Sequence, residues 1–221
     1  MRVVADALSE RGYTVSAPLL SGHATSLQEM DACTAEDWLA DAREAYDELV
    51  AAGCKEIFMM GLSMGGLLAS ILAQELPCSG LALMSTPFRI REYLRRIKRV
   101  SRVLPYIVYE ENKQRYQRDS SLQSYRGVPL RKLNDLERLA IRARGGLYKI
   151  DCPVLLLQSE QDKRVDLASV PIAENGIGSK RVTAIWLKHS PHACTVGPEK
   201  ALVAEYCVKF VEDILSDDNC E

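Results

Sequence analysis

Glu56-Ile-Phe-Met-Met-Gly61-Leu62-Ser63-Met64-Gly65-Gly66 is the stretch from which the rest of the chain can be read. Glu56 to Met60 reads as a strand, and Leu67, Leu68, Ile71, Leu72 and Leu76 recur at helical spacing until Pro77 stops them. Between the two lies G-x-S-x-G, in the strand-to-helix context that this motif requires. A serine held on such a turn has strained backbone angles, with a strand and a helix meeting closely behind it. The positions two before and two after it must then be nearly devoid of side chain, which Gly61, Gly65 and Gly66 supply. A serine hydroxyl is a poor nucleophile near neutral pH, so the motif implies a general base and an acid that orients it.

Working outward, Val3, Val4 and Leu8 mark a helix ended by Gly12, and Tyr13 to Pro18 reads as a short strand. Thr34 with Asp37 three residues on predicts a helix N-terminus, and Trp38, Ala42, Ala45 and Leu49 are its buried stripe. Further strands are expected at Gly80 to Met84, Pro153 to Leu157 and Val182 to Leu187, with a helix near residues 167–175 and a last one from Glu199 to Leu215. Strands alternating with helices, some apolar on both faces, predict an α/β fold: a mostly parallel sheet covered on both sides.

Three histidines can serve as the base. His23 lies upstream of Ser63, in a loop. His192, in Ser190-Pro191-His192 before the final helix, is preferred over His189, which abuts a strand end. For the acid, Asp162 in Ser159-Glu-Gln-Asp162-Lys-Arg-Val165 is preferred, with Asp166 and Glu160 as competitors.

At 221 residues the chain can bury a core without disulfides or metals. It shows no apolar run of about 18 residues and no secretory leader, and its seven cysteines are scattered, with no C-x-x-C pair. A cytoplasmic setting with idle thiols is expected. The near-neutral total charge hides an asymmetry. Residues 89–149 carry 17 Lys/Arg against 6 Asp/Glu, and the remainder carries 11 against 24. Such a shift marks a structural boundary. Residues 1–88 and 150–221 are therefore read as a core, with 89–149 inserted.

The chain resembles small bacterial carboxylesterases and monoacylglycerol lipases of the α/β-hydrolase superfamily. Gly-Leu-Ser63-Met-Gly-Gly66, Asp162 with Val165, Ser190-x-His192, and Ala17-Pro18 through Gly22-His23 carry the resemblance. It implies Ser63 as nucleophile, His192 as base, Asp162 as orienting acid, a structural His23, and no metal or organic cofactor. One departure is Ser159, where relatives often have glycine. The resemblance also implies an oxyanion donor at the backbone N–H of Met64. The second donor follows a strand ending in His-Gly, and no His-Gly occurs in the chain. The expectation is thus an α/β-hydrolase lacking its N-terminal strands, a truncated form of a longer esterase.

By the same resemblance, residues 89–149 are a helical cap over the acyl pocket. Ile90, Leu94, Ile97 and Val100 or Ser101 fall on one stripe of a helix otherwise rich in arginine. Three readings of its charge stay open: a solvated cap complemented by the acidic core, a lid making transient contact with a membrane or micelle surface, and a pocket mouth for anionic acyl substrates. No nucleic-acid-reading module accompanies the arginines. The function expected is hydrolysis of carboxylic esters of short to medium acyl chains, monoacylglycerols included, through an acyl-enzyme. Thioesterase or lysophospholipase activity and a catalytically impaired binding protein are the alternatives.

Overall fold

The computed structural model describes residues 1–98, 106–108 and 127–218. In chain order its elements are α1 (Arg2–Glu10), α2 (Leu27–Ala32), α3 (Ala35–Ala51), β1 (Phe58–Leu62), α4 (Met64–Leu72), β2 (Gly80–Met84), α5 (Glu92–Lys98), β3 (Tyr106–Val108), β4 (Gly127–Pro129), α6 (Lys132–Gly145), β5 (Val154–Ser159), α7 (Ser169–Gly176), β6 (Val182–Leu187) and α8 (Lys200–Asp218). Strands β1, β2, β5 and β6 form a parallel sheet in the order β1-β2-β5-β6. An antiparallel pair, β3 with β4, lies between β2 and β5 in the chain.

Side chains of successive strand residues go to opposite faces of the sheet, and each face has its own core. Met59, Leu81, Leu83, Val154 and Leu156 join Trp38, Leu67, Leu139 and Val170 from α3, α4, α6 and α7. Ala82, Met84, Leu155, Leu157 and Leu187 join Val4, Leu8, Val203, Cys207 and Val211 from α1 and α8. The inner strands β2 and β5 are buried along their whole length, as their uninterrupted apolar runs predict.

The start of α3 obeys the capping chemistry read from sequence. Thr34 accepts from the Asp37 N–H at 3.3 Å while the Asp37 carboxylate accepts from the Thr34 N–H at 2.7 Å, a complete capping box at the head of α3. Gly12, at φ +85°, closes the turn after α1 in the left-handed region. The expected strand at Tyr13 to Pro18 does not form. That segment has no ladder partner among the described residues, and Val15 and Leu19 are exposed. Strand β1 sits two residues later than expected and so carries the sheet into Gly61 and Leu62; α4 ends at Leu72, short of Pro77, and only turns reach Leu76. Of the cationic helix expected from Arg89 to Arg102, α5 is seen over Glu92–Lys98; Ile90 instead bridges to Val165, and residues 99–102 lie outside the described residues. Residues 89–149, expected as a helical cap, also carry the β3–β4 pair, and α6 among them packs Leu139, Ala140 and Ala143 into the same core as α4.

Candidate active site

The C-terminal end of β1 delivers Ser63 to the N-terminus of α4 through a single strained residue. Ser63 has φ +55° and ψ −119°, a conformation that side-chain-bearing residues rarely adopt. Its N–H donates to the Met84 carbonyl at the end of β2, 2.8 Å away, which fixes the turn on the sheet. Two glycines make room for it. A Cβ on Gly61 would lie 2.2 Å from the Gly65 carbonyl oxygen, and one on Gly66 would lie 2.0 Å from Thr86 Oγ1. Gly65 departs from the expectation, since a Cβ there would meet nothing within 4 Å. The close approach falls on the Gly65 backbone, not on the space its side chain would fill.

Facing this turn are the loops after β5 and β6. His192 brings Nε2 to 2.9 Å from Ser63 Oγ and Nδ1 to 2.8 Å from Asp162 Oδ2. The Asp162 side chain is fully shielded, and His192 keeps a 15% exposed edge. Burial pushes the Asp162 carboxyl upward. The hydrogen bond and charge of His192, with the N–H groups of Val165 and Arg164, outweigh burial and hold it below the ordinary carboxylate range. An ionised carboxylate can only accept, so Nδ1 carries the proton and Nε2 presents its lone pair to the Ser63 hydroxyl. That is the arrangement a general base needs.

Four donors surround the carboxylate. His192 and Gln158 Nε2 (3.1 Å) share Oδ2, while the N–H groups of Arg164 (2.8 Å) and Val165 (3.0 Å) converge on Oδ1. Gln158 was not anticipated, although a lone amide ending the apolar run of β5 is itself a signal of a buried polar role. Ser159 answers the question raised by its departure from glycine. Its hydroxyl donates to the Ser190 carbonyl and accepts from the Gln161 N–H at 3.1 Å, tying the acid loop to the histidine loop. Glu199, just ahead of α8, accepts from the N–H groups of Lys188 (3.1 Å) and His189 (3.0 Å) and from Ser190 Oγ (2.7 Å). Those bonds, the Ser190 hydroxyl foremost, hold its carboxyl below the ordinary range.

The alternatives separate cleanly. His189 is exposed, Glu160 is exposed, and Asp166 pairs with Arg89 at 3.1 Å, so none of them faces Ser63. His23 stacks edge-on against Trp38, with ring centroids 5.9 Å apart, and its Nδ1 lies 3.3 Å from the Ser21 carbonyl oxygen. Met64 opens α4, where the first N–H groups of a helix have no partner within it. Among the described residues no group of three or more His, Cys, Asp or Glu is placed to hold a metal ion.

A parallel sheet flanked on both faces, with a strained serine after β1 and a histidine and an aspartate on the loops after β6 and β5, defines an α/β-hydrolase. More narrowly, the chain belongs to the hydrolase family described as "Serine aminopeptidase, S33", which matches residues 1–199. It is 30% identical over 211 residues to the thermostable monoacylglycerol lipase of Bacillus sp. (strain H-257), covering 95% of this chain and 84% of that one. To the carboxylesterase of Bacillus subtilis (strain 168) it is 26% identical, over 97% and 87% of the two chains. Among solved structures, one from work on the metagenome-derived lipolytic enzymes LipS and LipT superposes with a TM-score of 0.86 at 29% identity, over 96% of this chain and 87% of the other. A soluble variant of the Saccharomyces cerevisiae monoglyceride lipase shares the fold, with a TM-score of 0.70 at 14% identity over 97% and 82%.

Proposed function

We propose that this protein is a serine hydrolase of carboxylic esters, acting on short to medium acyl chains, monoacylglycerols included, through an acyl-enzyme on Ser63. The observation that carries this reading is the continuous hydrogen-bonded line from Asp162 through His192 to Ser63 Oγ. In the first half-reaction Ser63 Oγ attacks the ester carbonyl and His192 Nε2 takes its proton; the N–H of Met64 faces the oxyanion. His192 then returns the proton to the leaving alcohol, the acyl group stays on Ser63, and the histidine activates a water that releases the acid. Asp162 holds the imidazole in the productive tautomer and stabilises the imidazolium. The lipase and esterase names of the relatives support an ester substrate.

Residues 89–149 are the cap of this reading, and three of its described arginines pair with carboxylates of the core. Arg89 reaches Asp166, Arg131 reaches Asp31, and Arg142 reaches both Glu36 and Glu75, each at 3.0 to 3.3 Å. Activity on a short neutral ester should therefore be insensitive to ionic strength, whereas a role in recruiting substrate from an anionic surface would make vesicle binding fall with salt.

The decisive experiment combines fluorophosphonate labelling with hydrolysis of p-nitrophenyl butyrate and a monoacylglycerol. Labelling at Ser63 and a loss of at least about 10⁴-fold in kcat for Ser63→Ala are expected. An intact Ser63→Ala protein that still hydrolyses the esters, or a wild type that resists labelling, would refute the reading.

A further inference from the structure

Asp162 opens a four-residue turn closed by Val165, and that turn is gripped from outside by one side chain. Arg91 Nε donates to the Val165 carbonyl at 2.8 Å, and Arg91 Nη2 donates to the Asp162 carbonyl at 2.7 Å. A single planar guanidinium thus bridges the first and last carbonyls of the turn, while the N–H groups of Arg164 and Val165 fold inward onto Asp162 Oδ1. The backbone is engaged at the same place. Ile90 forms an antiparallel bridge with Val165, and the Arg89 N–H donates to Ser169 Oγ at 3.0 Å. Arg89, Ile90 and Arg91 all belong to the segment that leaves β2 and leads into α5.

Resting on the serine-hydrolase reading above, we propose that Arg91 is a positioning residue: it clamps the Asp162–Val165 turn and so sets the Asp162 carboxylate against His192, joining the start of the 89–149 insertion to the catalytic array. The chemistry demands arginine. Its rigid fork presents parallel donors to two acceptors and stays charged at every accessible pH, whereas a lysine ammonium is a point donor on a flexible stem. Without the fork the two carbonyls lose their partners and the turn can relax, which retracts the carboxylate from Nδ1. A displacement on the order of 1 Å at such a contact is enough to slow turnover by up to about 10²-fold.

The test compares Arg91→Ala, Arg91→Lys and Arg89→Ala with the wild type. It follows kcat and KM on p-nitrophenyl butyrate, the rate of fluorophosphonate labelling, and the low-field proton NMR signal of the His192 Nδ1–H bound to Asp162. Arg91→Ala is expected to lower kcat and the labelling rate by about 10-fold to 10²-fold with little change in KM, and to shift the signal upfield or abolish it. Arg91→Lys should fall between Arg91→Ala and wild type. Arg89→Ala, whose side chain makes only a half-exposed ion pair, should match wild type on every measure. A folded Arg91→Ala with wild-type kcat and an unmoved signal overturns the proposal; should that variant not fold, a wild-type kcat and signal in Arg91→Lys does so. If the wild type itself neither labels nor hydrolyses ester, the hydrolase reading has failed, and the proton signal still decides whether Arg91 holds Asp162 against His192.

Discussion

Single side chains around Ser63 divide into those the turn cannot spare and those it can. A methyl on Gly61 would press on the Gly65 carbonyl at 2.2 Å, an acceptor fixed in the first turn of α4. Gly61→Ala is therefore expected to destabilise the fold by about 3 kcal/mol or more in denaturant titration. Gly65→Ala meets open space on a helical position and should be neutral or stabilising by up to about 1 kcal/mol. The motif alone gives these two glycines equal standing; only the packing tells them apart. Ser159 makes the complementary point. Ser159→Ala strips the buried Ser190 carbonyl of its donor, and a loss of about 1–3 kcal/mol in unfolding free energy is expected, together with slower fluorophosphonate labelling of Ser63.

At the level of elements, the site is a meeting of three strand ends, and each loop is held by a polar group from a neighbouring segment: the Met84 carbonyl for the turn after β1, Arg91 for the loop after β5, and Ser159 and Glu199 for the loop after β6. Glu199 pins the β6 loop from the start of α8, accepting three hydrogen bonds from residues 188–190. Glu199→Ala should slow ester turnover by loosening His192 while leaving the far-UV circular dichroism spectrum unchanged; an unaltered kcat would count against this role. Much of this level was legible beforehand. Periodicity placed β2 and β6 with their bounds, and the strand-serine-helix grammar placed Ser63, because both depend on local geometry. What was not legible depends on partners far away in sequence. The segment at Tyr13 to Pro18 has the alternation of a strand but no ladder beside it among the described residues, and Gln158, Ser159, Glu199 and Arg91 acquire roles only from loops brought together by the sheet. His192 and Asp162 were singled out by position after their strands, and choosing them over His189, Asp166 and Glu160 drew also on the resemblance carried by Ser190-x-His192 and by Asp162 with Val165.

For the molecule as a whole, acid sensitivity follows from carboxylates whose folded form prefers the charged state. Asp162, Asp37 and Glu199 are all held below their ordinary values, the first against burial by His192 and two N–H groups, the others mainly by hydrogen bonds from Thr34 and Ser190. A depressed folded value gives stability that is complete above the unfolded value, near pH 4 to 4.5 for these groups, and is lost as pH falls through the folded one. The melting temperature should thus decline steeply below about pH 4, and Asp162→Asn should flatten part of that decline. Thiol chemistry has a similar global logic. Burial pushes Cys194 up to about 11 and Cys207 up to about 12, so neither should react with iodoacetamide in the native protein at pH 7.5, while among the described thiols Cys33, Cys54 and Cys78, all half-buried, are the ones open to alkylation.

The order of strands has a consequence for how the chain comes off the ribosome. Strand β2 finds β1 within about twenty residues, but its other flank waits for β5, some seventy residues further on. During that interval a fully apolar strand has one unpaired edge, and the central ladder cannot close before residues 89–149 have been made. Ser63 is in place early; its partners, on loops that follow β5 and β6, arrive last. The hydrogen-bonded line from Asp162 through His192 to Ser63 is thereby completed only at the final stage of folding, once the loops after β5 and β6 are in place.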